Sequence, residues 1–338
     1  MRFSVQLPTC TEGLVNPIPF ARPDDFARLA QAAERLGYDA VWGNDHVTAA
    51  PYVRTKWSEP PNFYEVLITL ATVGAHTQRV RLGTAVLVLP LRDPVLLAKQ
   101  VATLDQLTGG RVVLAVGLGA YREEFEAHWP RRATARRGDL LDEGVQVLRL
   151  LLTERTASHA GEHYAFEKIE LHPKPVQRPF PVYIGGHNEA AVARAARFGQ
   201  GWLPGWRPLD EIKSRTALLR RLTAESGRDP CDVEAAVQFT LHLGRTPEAA
   251  SARYRTTGMV QHRRSLAHSG RDPALAEANN LIGSPESVGE KIAFLLEAGV
   301  DHLCALQFPH DTVGEMLEQM EWFARDVMPA FAKGDPHA

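Results

Sequence analysis

Cysteine is scarce in this chain: only Cys10, Cys231 and Cys304 occur. They are far apart, odd in number and never paired as C-x-x-C, which argues against a disulfide framework or a thiolate zinc site. Three reduced, mostly buried thiols in a cytoplasmic protein are expected instead. An excess of one charge is also missing. The formal net charge is −2, which provides no basic field for nucleic acid. No apolar run approaches the roughly 18 residues that a membrane helix needs. The start, Met1 to Pro8, is too short and polar to read as a secretion signal. There is no H-E-x-x-H and no H-x-H in the first strand, which argues against a zinc hydrolase, and no metal is expected. G-x-S-x-G is absent too. The lysines (56, 99, 168, 174, 213, 291 and 333) all fall in expected helices or loops. A Schiff-base aldolase, with its lysine on a barrel strand, is thereby disfavoured.

What the chain does have is a rhythm. A short apolar run is followed by an amphipathic helix, and the unit repeats. Phe3 to Leu7 reads as a strand, and Pro23 to Leu36 as a helix with Phe26, Leu29, Ala30 and Ala33 on one face. Further strands are expected at Ala40–Trp42, Val80–Leu89, Arg111–Val116, Val182–Ile184, Gly201–Leu203, Val233–Leu243 and His302–Phe308. Such continuous apolar runs suit parallel strands buried on both faces. Eight repeats favour a closed barrel over an open sheet, so the expected fold is α/β, a single (β/α)₈ TIM barrel spanning 1–330. An insertion near 155–180 and a long segment near 245–283 fall outside the rhythm. The first is read as a hairpin or an irregular insertion, the second as a lid or an extra helix. Residues 331–338 are expected to form a frayed tail.

In such barrels the chemistry sits at the C-terminal strand ends. The second strand runs into Asn44, Asp45 and His46. A carboxylate beside a histidine can set its protonation and orientation, so Asp45 and His46 are the catalytic candidates. The fourth strand ends in Gly117-Leu118-Gly119-Ala120-Tyr121. Its glycines permit close backbone approach to a ligand, but the third glycine of a dinucleotide fingerprint is missing. Glu123 and Glu124 read as the first turn of a helix. The fifth strand ends in Gly185-Gly186-His187-Asn188, opening a helix whose free N–H groups suit a phosphate; a tight βα turn is the alternative. His310, after the last strand, either lines the pocket or caps a helix. Cys10 is placed near the pocket, with nothing to mark it as a nucleophile.

Taken together, an ordered set of segments resembles the luciferase-like monooxygenase family. It includes Gly37-Tyr38-Asp39-Ala40-Val41-Trp42 with Asp45-His46, then Leu82-Gly83-Thr84-Ala85-Val86 and Pro90-Leu91-Arg92-Asp93-Pro94. Gly109-Gly110-Arg111, Gly117-Leu118-Gly119 with Glu123-Glu124-Phe125, Ile184-Gly185-Gly186, Gly201-Trp202 and Gly283-Ser284-Pro285 continue it. The resemblance implies a (β/α)₈ barrel, often dimeric, that binds coenzyme F420 or FMN at the strand C-termini. It implies a non-proline cis peptide between Ala85 and Val86 behind the ring, with Thr84, Gly117 and Gly119 beside it. It places the phosphate on Gly185, Gly186, His187 and Asn188, and turns His46 toward ring or substrate. Tyr52, Trp57, Tyr121 and Trp202 join Cys10 and His310 as expected pocket residues. Two departures point away from sugar phosphates: Ala50 and Ala120 stand where that subgroup carries tryptophan and glutamate. The implied activity is F420-dependent hydride transfer on a small molecule. The alternative is a two-component monooxygenase using FMNH2 and O2, and a separate flavin or F420 reductase is the expected partner. A barrel that only binds a ligand is the remaining reading.

Overall fold

Eight parallel strands close on themselves in the computed structural model, which describes residues 1–49, 59–265 and 273–331. The ring runs β1 (Arg2–Leu7), β2 (Ala40–Gly43), β3 (Arg81–Thr84), β5 (Val112–Gly117), β8 (Val182–Gly185), β9 (Gly201–Leu203), β10 (Glu234–Val237) and β13 (His302–Leu306). Pairing of β3 with β5 and of β13 with β1 closes it. This is the expected (β/α)₈ barrel. β5 is buried at all six positions because it has a core on either side. One core fills the barrel, with Trp42, Val113, Ala115, Tyr183 and Cys304. The other lies between barrel and helices, with Val5, Leu29, Leu82, Leu114 and Ile184 among its members.

The surrounding helices begin where local chemistry permits. Asp93 caps α3 (Pro94–Leu107), accepting from the Leu96 N–H. Asn188 caps α6 (Glu189–Phe198), Ser284 caps α10 (Pro285–Glu297) and Thr312 caps α11 (Val313–Asp326) in the same way. Each such cap contributes about 1 kcal/mol. Between them come α1 (Pro23–Arg35), α2 (Val66–Ala75), α4 (Arg122–His128), α5 (Arg137–Thr153) and α7 (Leu209–Glu225).

Two segments differ from the sequence reading. The strand expected at Val80–Leu89 breaks at a cis Ala85–Val86 peptide, leaving β3 and the two-residue β4 (Leu87–Val88). The strand expected at Val233–Leu243 is two pieces: β10 in the barrel, and β11 (Leu241–Leu243), which leaves it to pair with β12 (Leu281–Gly283). The insertion forms an antiparallel hairpin, β6 (Ala157–Ala160) with β7 (Ala165–Ile169). The buried Asp105 carboxylate anchors the chain that follows it, accepting from the Val176 and Gln177 N–H groups at 2.8 and 3.1 Å. Segment 245–283 supplies two helices, α8 (Pro247–Tyr254) and α9 (Gly258–Ser265), before β12. No helix among the described residues is long and apolar enough to cross a membrane. Tyr52, Trp57 and the expected tail at 332–338 lie outside the described residues.

Candidate active site

The loop after β2 is fixed from three sides. Thr9 donates to the Asn44 carbonyl and side-chain oxygens at 2.7 and 2.8 Å, and Asn44 donates back to the Cys10 carbonyl at 3.0 Å. Asp45 is buried and turned toward the neighbouring strand. It accepts from the Val88 N–H at 2.9 Å and from Arg92 at 2.5 Å. It makes no hydrogen bond to His46 among the described residues, which corrects the reading of the two as a pair.

The partner of His46 is Glu124, from the first turn of α4. Nδ1 of His46 lies 2.9 Å from Oε2 of Glu124. Oε1 of the same carboxylate accepts from the Val47 and Thr48 N–H groups at 2.6 and 3.2 Å. Burial pushes the Glu124 pKa up. The hydrogen bond and charge of His46 and the two backbone donors outweigh that and hold it below the ordinary glutamate value. Phe63 and Tyr121 flank the imidazole, with ring centroids 5.7 and 5.5 Å away. Tyr121 therefore lies beside His46. Cys10 is there as well, its Sγ 3.9 Å from the His46 carbonyl. Burial raises its thiol pKa far above the ordinary value, and the Asp45 charge adds to this, so it is no nucleophile.

Beside this loop the strand ends form a flat wall. The side chain of Val86 projects between Gly117 and Gly185. A Cβ at either glycine would stand 2.7 or 2.6 Å from a Val86 methyl, so only glycine fits there. Thr84 donates to the Ala115 carbonyl at 2.7 Å and locks the neighbouring strands together. Arg137 donates to the Leu118 and Gly119 carbonyls at 3.1 and 3.0 Å and shapes the loop after β5. Gly186 has a φ of +128°, a conformation that favours glycine. His187 and Asn188 follow, and α6 starts with its N–H groups at the barrel mouth. The Asp45 to Val88 bond ties the wall to the His46 loop.

Two expected pocket residues lie elsewhere. Trp202 is fully buried between barrel and helices, because in β9 Leu203 takes the inward position. Its indole donates to the Gly186 carbonyl at 2.8 Å, so it buttresses the loop after β8. His310 stacks on His242 at 4.7 Å and faces a cleft with Arg253, Glu315 and Gln319. Glu124, read from the sequence only as a helix start, is the residue that the structure brings to His46. Among the described residues, no group of three or more metal-ligating side chains could hold an ion.

The chain is similar to several known proteins. The family model described as luciferase-like monooxygenase matches residues 1–302. An F420-dependent glucose-6-phosphate dehydrogenase of Segniliparus rotundus is 28% identical over 91% of this chain and 93% of its own. An FMNH(2)-dependent dimethylsulfone monooxygenase of Pseudomonas putida is 29% identical over 97% and 94%. Among solved structures, the monooxygenase RslO1 of Streptomyces bottropensis superposes with a TM-score of 0.81 at 23% identity, covering 98% of this chain and 100% of that one.

Proposed function

Because the chain belongs to the luciferase-like monooxygenase family, we propose that it is an F420-dependent oxidoreductase moving hydride to or from a small organic substrate. Membership makes it an oxidoreductase that works with a deazaflavin or a flavin; the choice of F420 is our reading. The observation that carries it is His46, held by Glu124 at 2.9 Å on the loop tied to the glycine-flanked wall. Hydride transfer to or from a C–O centre needs a fixed site for the accompanying proton, and Nε2 of His46 is that site. The wall fits the cofactor: Val86, Gly117 and Gly185 would back the ring, with Thr84, Ala85 and Gly119 beside it. Gly185, Gly186, His187, Asn188 and the α6 N-terminus would hold its phosphate. A deazaflavin bound there supplies the two-electron hydride centre.

A second reading has its own support. The loop after β1 packs with α8 and α9 in a buried apolar cluster that includes Leu14, Val15, Tyr121, Tyr254 and Met259. Such a roof excludes water, which a monooxygenase using FMNH2 and O2 requires. A separate reductase would then deliver the flavin. Parallel titration of the apo-protein with F420, FMN and FMNH2 decides. Micromolar-or-tighter F420 binding with weaker FMN binding supports the first reading; preference for FMNH2 replaces it with the second.

We further propose a cytoplasmic homodimer. α2 carries no charged residue, yet Ile68 on its outer face is 69% exposed. On the neighbouring α3, Leu96 and Leu107 are 59% and 78% exposed. A helix apolar all round belongs inside an assembly, and a second copy is the occupant we assign. The double variant Ile68→Glu, Leu96→Glu is expected to sediment as a monomer; wild-type sedimentation as a monomer at all concentrations would refute the dimer.

A further inference from the structure

We propose that Glu124 is the positioning residue that decides which nitrogen of His46 carries the proton in the resting protein. The inference rests on the functional reading only in that His46 is the proton-transfer group. An ionised carboxylate can only accept hydrogen bonds, so Nδ1, 2.9 Å from Oε2, must be the N–H. In the neutral imidazole Nε2 is then the lone-pair nitrogen, and it makes no hydrogen bond among the described residues. Phe63 and Tyr121 lie beside the ring, tilted 38° and 39° from its plane.

The other carboxylate oxygen makes this inference testable. Oε1 is fixed by two backbone donors, Val47 at 2.6 Å and Thr48 at 3.2 Å. In Glu124→Gln the amide oxygen must stay at that position, because an NH2 there would face two N–H groups. The amide NH2 is then forced toward His46 Nδ1. That nitrogen must become the acceptor, and the proton moves to Nε2. A substitution that preserves shape therefore reverses the tautomer and blocks the nitrogen that takes the proton. Asp45→Asn is expected to do nothing of the kind, since Asp45 faces Val88 and Arg92.

The test is a long-range ¹H–¹⁵N spectrum of histidine-labelled, ligand-free protein, with the His46 signal assigned by its loss in His46→Asn. The expected wild-type pattern is Nδ1–H, the Glu124→Gln pattern is Nε2–H, and Glu124→Ala gives a mixture. F420, used as the probe, should bind Glu124→Gln within about threefold of wild type, because uniform binding is untouched, while turnover falls by about 10²–10⁴-fold. A wild-type Nε2–H signal, or an unchanged Nδ1–H signal in Glu124→Gln, overturns the assignment. The spectrum needs no cofactor, so failure to bind F420 would sink the functional proposal and leave this inference standing.

Discussion

Two histidine sites occupy different parts of the barrel's C-terminal side, and they obey opposite rules. At the mouth, His46 meets a carboxylate whose other oxygen is satisfied by two backbone N–H groups. At the cleft beside α11, His242 and His310 meet each other, with rings stacked at 4.7 Å and 25°. Nδ1 of His242 and both nitrogens of His310 have no hydrogen-bond partner among the described residues. Burial lowers the His242 pKa to about 3, helped by the nearby charges of His310 and Arg253, and Glu315 only partly opposes this. Burial likewise lowers His310 to about 4, helped by Arg253 against Asp311. The first ring has a carboxylate to accept its N–H; the stacked rings have no such partner among the described residues. Burial differs as well: His46 is partly buried, whereas both cleft rings are fully buried.

Acid is the strongest way to break the comparison. Both cleft histidines have folded pKa values below the unfolded value of about 6.5, so the unfolded chain binds more protons between pH 6.5 and 4. Stability is therefore present above pH 6.5 and lost as pH falls through that window. At pH 5 the loss is about 2 kcal/mol for each histidine, or about 4 kcal/mol for the pair. Denaturant unfolding between pH 7.5 and 5 measures it, and a flat profile would contradict the neutral-pair description. Next in size is Glu124→Ala at pH 7. It strands the Val47 and Thr48 donors and the imidazole N–H, at a cost of about 3 kcal/mol. A loss below the noise of the same unfolding assay would mean that water replaces the carboxylate freely.

The contrast also explains what was legible in the sequence. The eight strands could be read because they are short, largely apolar runs, the clearest being Val112–Gly117, buried at every position. The caps at Asp93, Asn188, Ser284 and Thr312 could be read because each acts within three residues of itself. His46 was legible from its place at a strand end. Its partner was not, because Glu124 is 78 residues away and reaches His46 only when the barrel closes. The adjacent Asp45 was the natural choice on sequence proximity, but neighbours in an extended loop point to opposite sides. Trp202 was misplaced for a related reason: a three-residue strand offers too little alternation to say which side faces in. The His242 stack was hidden because the strand expected at Val233–Leu243 breaks and carries His242 out of the barrel.

Replacing one cleft ring sharpens the contrast further. His242→Phe keeps a stacking partner for His310 and removes one titrating group. About 2 kcal/mol of the pH 5 loss should be recovered, with little change at pH 7.5. An unchanged acid slope would assign the loss to other groups.

The smallest effect is the one that best separates the two carboxylates at the mouth. Asp45→Asn keeps an oxygen for the Val88 N–H but turns an NH2 toward Arg92, and donor faces donor. Arg92 already lies 3.3 Å from Glu65 and can shift its charge there, so the expected cost is only about 1 kcal/mol. The His46 tautomer should not change, because nothing between Asp45 and the imidazole has been altered. If it does change, control of the ring passes through the backbone from Asp45 rather than across space from Glu124. Sequence adjacency would then have been the better guide to this site, and the apparent division of labour between the two carboxylates would collapse into one coupled loop.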